Sequence, residues 1–174
     1  MSRRPRRTEP YPGQPPHFQS LDHLPQQAAL VALCGNIGAG KTTLARERWA
    51  EAHVDVSSLR LQLGRLDDRS TLGPGFTAAY KTVEEKLSEG QLAVLDSTAV
   101  TPRVRLSIQR IAIRANVQAH IVIVQTPVRV CVERNAQRPP DVMATEEDVW
   151  SVSEQFALAV QAIGHEQWAT VTTV

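Results

Sequence analysis

Gly35-Asn36-Ile37-Gly38-Ala39-Gly40-Lys41-Thr42 follows an apolar run over 28–34 and has the spacing G-x-x-x-x-G-K-[ST]. The residue types explain one another at that spacing. Glycines let the backbone curl until successive N–H groups point inward at a phosphate. A helix starting where the turn ends adds its positive N-terminal end. Lys41 then reaches between a β- and a γ-phosphate, and Thr42 offers its hydroxyl to Mg²⁺. With Thr43 closing the turn, residues 35–43 read as a cradle for ATP.

Strand and helix patterns alternate on both sides of this turn. The run over 28–34 is continuously apolar, as a strand covered on both faces should be. A helix is expected over 42–52, a short strand over 54–57 and a short helix over 59–64. Residues 65–75, with Asp67, Asp68 and Gly73-Pro74-Gly75, read as a loop. Phe76, Ala79, Tyr80, Val83 and Leu87 recur at helical spacing as far as Gly90. A third strand over 92–96 ends in Asp96. Thr101-Pro102 then caps a helix running to Asn116. A fourth strand covers 119–124, and Thr126-Pro127 repeats the cap signature for a helix to about residue 137, which Pro139-Pro140 ends. Thr145-Glu146-Glu147-Asp148 resembles a capping box for one more helix. Residues 168–174 read as a closing strand. Strands separated by helical crossovers imply an α/β domain with a parallel sheet covered on both faces, and ligands bind beyond the carboxyl ends of such strands.

Composition bounds the rest. The 174 residues suffice for one domain, expected over 27–174. Residues 1–26 hold six of the eleven prolines and four arginines against Glu9 and Asp22, which reads as a disordered arm. Its arginines suit either a solvated tail or a contact with a phosphate backbone. The remainder carries 15 basic and 16 acidic residues, so no broad cationic face is expected there. Cys34 and Cys131 stand far apart, which argues against a zinc site or disulfide framework and suits a reducing cytoplasm. No apolar core follows the basic start, so no secretory leader is expected, and no run is long enough for a membrane span. The histidines at 17, 23, 53, 120 and 165 are dispersed and read as ordinary surface or core residues.

Beside this reading, the sequence resembles a known family. The turn at 35–42, then Val56-Ser57-Ser58-Leu59-Arg60, Leu95-Asp96-Ser97-Thr98 with Thr101-Pro102, and Val132-Glu133-Arg134-Asn135-Ala136-Gln137-Arg138-Pro139 fall in the order of the small P-loop kinases. The closest group is the polynucleotide-kinase-like one, related to zeta toxins and gluconate kinases. The resemblance spans about residues 28–165. It implies a P-loop NTPase fold with a five-stranded parallel sheet of order 2-3-1-4-5, a lid near 134–145, and transfer of the γ-phosphoryl of ATP to a hydroxyl. In polynucleotide kinases that hydroxyl is the 5′ end of DNA or RNA. By the same resemblance Asp96 steadies Mg²⁺ with Thr42, Arg134 and Arg138 close over the triphosphate, and Arg60 contacts the acceptor. Two positions depart from the pattern. Relatives carry Asp-x-x-Arg after the second strand, the Asp taking the acceptor proton; here Ser57 stands in that place. Asp55, two residues earlier and on the same strand face, is the candidate substitute, against a purely structural role. Ala99 replaces an Asn.

Three functions follow as expectations. One is an ATP-dependent kinase with a nucleic-acid 5′-hydroxyl as favoured acceptor, using Lys41, Arg60, Asp55 and Arg138 in catalysis. The second is a small-molecule kinase for a sugar, nucleoside or antibiotic, which the near-neutral domain and the 5% aromatic content also suit. The third is an ATP-binding module with weak catalysis, suggested by Ser57 and Ala99. Loss of a general base slows transfer by about 10²–10⁴-fold and leaves nucleotide binding intact.

Overall fold

The computed structural model describes residues 20–174. Five strands, β1 (Ala29–Gly35), β2 (His53–Asp55), β3 (Ala93–Asp96), β4 (Gln118–Val124) and β5 (Thr170–Thr173), form one sheet. Its order is β2-β3-β1-β4-β5, and every pairing is parallel. Between them run α1 (Lys41–Trp49), α2 (Val56–Leu63), α3 (Leu72–Ser88), α4 (Pro102–Ala115), α5 (Val128–Ala136) and α6 (Glu146–Ile163). This is the expected P-loop arrangement.

The sheet divides two cores, and strict alternation along the strands decides which side chain enters which. Leu30, Ala32 and Cys34 of β1 point to one core with Leu95, Ile121 and Ile123, covered by Val83, Ile108, Phe156 and Ile163. Val31 and Leu33 point to the other with Val94 and Val122, covered by Ala45, Trp49 and Cys131. Because both faces are filled, β1 is buried at all seven positions. No helix among the described residues is long and apolar enough to cross a membrane.

Several boundaries differ from expectation, each for a local reason. The arm expected over 1–26 lies outside the described residues as far as residue 19. From Ser20 on the chain is packed: Leu21 and Leu24 are buried in the core beneath α1. Asp22 pairs with Arg48 at 2.7 Å, and His23 Nε2 meets the Thr172 hydroxyl at 2.9 Å. Two leucines three apart carried too weak a pattern among prolines to reveal this. Strand β2 stops at Asp55 rather than 57, because the Asp55 carboxylate accepts from Ser57 N–H and caps α2. Ser57 therefore sits in the first turn of α2 and shares no strand face with Asp55.

Gly73-Pro74-Gly75 forms the first turn of α3 instead of a loop. Pro is tolerated there because the first N–H groups of a helix have no intrahelical acceptor. A side chain at Gly75 would collide with the Cγ of Arg60, which crosses over it. Thr126 does not cap α5; its hydroxyl donates instead to Ala39 O in the phosphate turn, 2.9 Å away. Thr101 and Thr145 do cap α4 and α6, accepting from Val104 N–H and Asp148 N–H.

Candidate nucleotide site

Strands β1 and β3 are neighbours, with Leu33 opposite Asp96, so their carboxyl ends deliver residue 35 and residue 96 to one place. Gly35 N–H donates to Thr98 O at 3.1 Å and staples the two segments together. From Gly35 the chain curls through Gly38 at φ +81° and Gly40 at φ +100°, conformations that cost other residues about 1–2 kcal/mol. At Gly38 the backbone also lies on α5: a Cβ there would stand 2.5 Å from Cys131 O. Helix α1 then begins at Lys41. Its first intrahelical bond runs from Leu44 N–H to Gly40 O at 3.0 Å, which leaves the N–H groups of Lys41, Thr42 and Thr43 without an intrahelical acceptor.

Lys41 is buried, and its Nζ donates to Gly35 O at 3.1 Å and Asn36 O at 2.7 Å. Burial lowers its pKa, with Asp96 nearby opposing the shift. Hydrogen-bonded to carbonyl oxygens, the ammonium keeps its positive charge available to an anion in the turn. Thr42 Oγ1 donates to Asp96 Oδ2 at 2.6 Å, and His53 Nε2 lies 3.1 Å from the same oxygen. Burial pushes the Asp96 carboxyl up, but the His53 contact, the Lys41 charge and the Thr42 hydroxyl outweigh it, and the group sits below its ordinary value. A carboxylate beside a hydroxyl at the foot of a phosphate turn is a donor set that suits a hard divalent cation.

A groove of about 420 Å³ opens over the turn, lined by Gly38, Gly40, Lys41, Thr42, Thr43, Leu44, Glu47, Arg134 and Arg138. Three cations face one carboxylate in it, which is the balance a polyphosphate requires. Arg134 Nη1 also donates to Ala39 O at 3.5 Å. Asn135, between the two arginines, is buried and clasps the segment beyond α5: its Nδ2 donates to Ala144 O at 2.8 Å, and its Oδ1 accepts from Ala144 N–H at 3.1 Å.

Arg60 and Asp55 are engaged in local hydrogen bonds. The Arg60 guanidinium donates to Leu66 O at 2.6 Å, Asp68 O at 3.3 Å and the Thr71 hydroxyl at 3.1 Å, so it organises the loop over 65–71. Asp55 accepts from Ser57 N–H at 2.9 Å and the Ser58 hydroxyl at 2.6 Å. It also comes within 4.8 Å of His53 and Asp96, measured between potential ligand atoms. His53 read as an ordinary histidine; only the pairing of β2 with β3 reveals its neighbours. Ala99 is buried at φ +48°, a conformation that Asn adopts more readily.

Sheet order, phosphate turn and crossover helices together define a P-loop nucleotide-binding domain. Residues 30–158 match the family model described as an AAA domain, and the chain belongs to that family. Solved structures of low identity share the fold. A chain of the Pnkp1/Rnl/Hen1 RNA repair complex superposes with a TM-score of 0.67 at 16% identity, over 82% of this chain and 48% of that one. The protein thus spans about half the length of that relative. A candidate kinase from Chloroflexus aurantiacus gives a TM-score of 0.62 at 16% identity, over 84% of this chain and 86% of that one. Kti12 of Chaetomium thermophilum, in complex with ADP-AlF3, gives 0.61 at 16% identity, over 83% and 88% of the two chains. At such identity these likenesses speak for the fold alone. No curated protein matches the sequence.

Proposed function

We propose that the protein is an ATP-dependent phosphotransferase that moves the γ-phosphoryl to a hydroxyl acceptor, with a nucleic-acid 5′-hydroxyl favoured. The observation that carries this reading is the meeting of Lys41, the Thr42–Asp96 pair, Arg134 and Arg138 around one groove. Mg·ATP would supply the phosphoryl group and the charge that neutralises it as it transfers. The chain's own residues do the positioning. Gly35 to Gly40 shape the turn, Lys41 draws the terminal phosphates inward, and Thr42 and Asp96 hold the cation. Arg134 and Arg138 offset charge on the transferring group. Asp55 is the carboxylate assigned to the acceptor side, since Ser57 cannot take a proton at neutral pH. Arg60 shapes that side through the loop it binds. Among the structural neighbours, the RNA repair complex favours the nucleic-acid acceptor.

A transfer assay tests this reading with γ-labelled ATP and 5′-hydroxyl RNA or DNA oligonucleotides. Labelled product is expected, and Lys41→Ala should lower the rate by about 10²–10³-fold, the cost of removing one preorganised donor. No label above that variant sinks the nucleic-acid reading. ADP release with sugars, nucleosides and antibiotics in their place would then identify a small-molecule kinase. One observation favours the third reading, a binding module with weak catalysis: the Arg60 guanidinium is committed to local structure. Tight Mg·ATP binding by calorimetry without turnover on any acceptor would establish it.

A further inference from the structure

Asp55 and Asp96 are register partners on adjacent parallel strands, so two carboxylates face each other at the sheet's carboxyl edge. Like charges directly opposite destabilise a strand pair. His53 lies two residues before Asp55, on the same face of β2, and its Nε2 stands 3.1 Å from Asp96 Oδ2. The Thr42 hydroxyl donates to that same oxygen at 2.6 Å. One ligand atom from each of His53, Asp55 and Asp96 lies within 4.8 Å of the other two. Two ligands each about 2.1 Å from a cation are about 3.0 Å apart at right angles and about 4.2 Å apart across it, so the group has nearly the span of a coordination shell. The phosphate turn independently calls for a divalent cation beside Thr42 and Asp96.

We propose that His53, Asp55 and Asp96, with the Thr42 hydroxyl beside them, form a site that binds a transition-metal dication such as Mn²⁺ directly, without nucleotide and in preference to Mg²⁺. The ligand chemistry decides the preference. Mg²⁺ favours an all-oxygen octahedron and keeps much of its water, whereas an imidazole with carboxylates suits Mn²⁺ and the later first-row ions. The site is also supported from behind. Ser57 N–H and the Ser58 hydroxyl hold the Asp55 carboxylate, which fixes its free lone pairs as outer partners do in metal centres. Asp96 and the His53 side chain are both shielded, at 4% and 8% exposure, so water competes weakly for the ion. With a cation bound there, Asp55 would serve as one of its ligands rather than as a free carboxylate. The inference rests on the nucleotide-site reading for the placement of Thr42 and Asp96, yet its test needs neither nucleotide nor acceptor.

Chelator-stripped full-length protein is titrated with Mn²⁺, free Mn²⁺ being followed by electron paramagnetic resonance, and separately with Mg²⁺ by calorimetry. One Mn²⁺ per chain is expected, bound at least about tenfold more tightly than Mg²⁺. Electron spin-echo modulation of the bound ion should show coupling to one imidazole nitrogen, a readout that requires no variant. His53→Ala, His53→Gln and Asp55→Asn should each weaken Mn²⁺ at least about tenfold, with circular dichroism confirming that they are folded. Mn²⁺ held no more tightly than Mg²⁺, or no nitrogen coupling, or binding indifferent to His53 and Asp55, overturns the proposal. ATP affinity measured in Mg²⁺ on the same wild-type protein separates that outcome from failure of the nucleotide reading.

Discussion

Gly38 and Gly73 are the same residue type under opposite constraints. Gly38 holds a left-handed backbone while its missing Cβ makes room for Cys131 O at 2.5 Å. Gly73 lies in the first turn of α3 with open space around it. Gly38→Ala must therefore strain the turn and push it off α5. We expect it to cost at least about 1–2 kcal/mol from the backbone conformation alone and to lower ATP affinity at least about tenfold. Gly73→Ala should instead leave ATP affinity unchanged and bring no gain in stability, since its Cβ meets open space except at the ring of Pro74, which disfavours a helical backbone at the residue before it. Thermal melting and ATP calorimetry on the two variants check both outcomes. The motif spacing already marked Gly38 as irreplaceable. It could not reveal that α5 supplies the obstacle.

Arg105 shows how the elements are tied together below the site. This arginine of α4 is buried, at 1% exposure, and grips Glu166 with Nε at 2.9 and 3.0 Å and Nη2 at 2.8 Å. Its Nη1 donates to Ala99 O at 3.0 Å and Val100 O at 2.8 Å, so the turn leaving β3 is pinned to the segment between α6 and β5. Trp168 Nε1 donates to the same carboxylate at 2.9 Å. Removing one partner of a buried pair leaves its charge uncompensated, which costs about 3–5 kcal/mol. Glu166→Ala should therefore lower the melting temperature by about 6–20 °C for a domain of this size. Arg105→Met with Glu166→Leu should recover much of that loss, since apolar replacement of both partners is often near neutral. Melting curves of the single and double variants decide it. Nothing in the spacing of residues 105 and 166 announced this contact; the closing of β5 beside β4 creates it.

At the scale of the molecule, acid sensitivity traces to the β4–β5 end of the sheet. His120 of β4 gives Nδ1 to a contact with the Thr170 hydroxyl at 2.9 Å, while its Nε2 is buried without a partner. Burial lowers its pKa, and His23 nearby adds to the shift. On acidification the unfolded chain takes the proton first. The contribution is thus fully present above the ordinary histidine value of about 6.5 and is lost as pH falls through the lower folded value. The melting temperature should drop between pH 7.5 and 5, and His120→Gln should flatten that slope. An unchanged slope in the variant would assign the acid sensitivity elsewhere.

Most of the architecture was legible before any coordinates. Apolar runs, caps at Thr101 and Thr145, and the turn at 35–42 depend on residues close in sequence, and local backbone physics acts on them directly. That turn determined a phosphate cradle, and the alternation of strands and helices determined an α/β layering. The fold alone decided that Arg60 braces a loop, that Thr126 serves the phosphate turn, and that His53 and Asp55 stand beside Asp96. Those placements depend on which strands become neighbours. Sheet order is set by burial of whole faces across long stretches of chain, a sum that no short window of sequence contains.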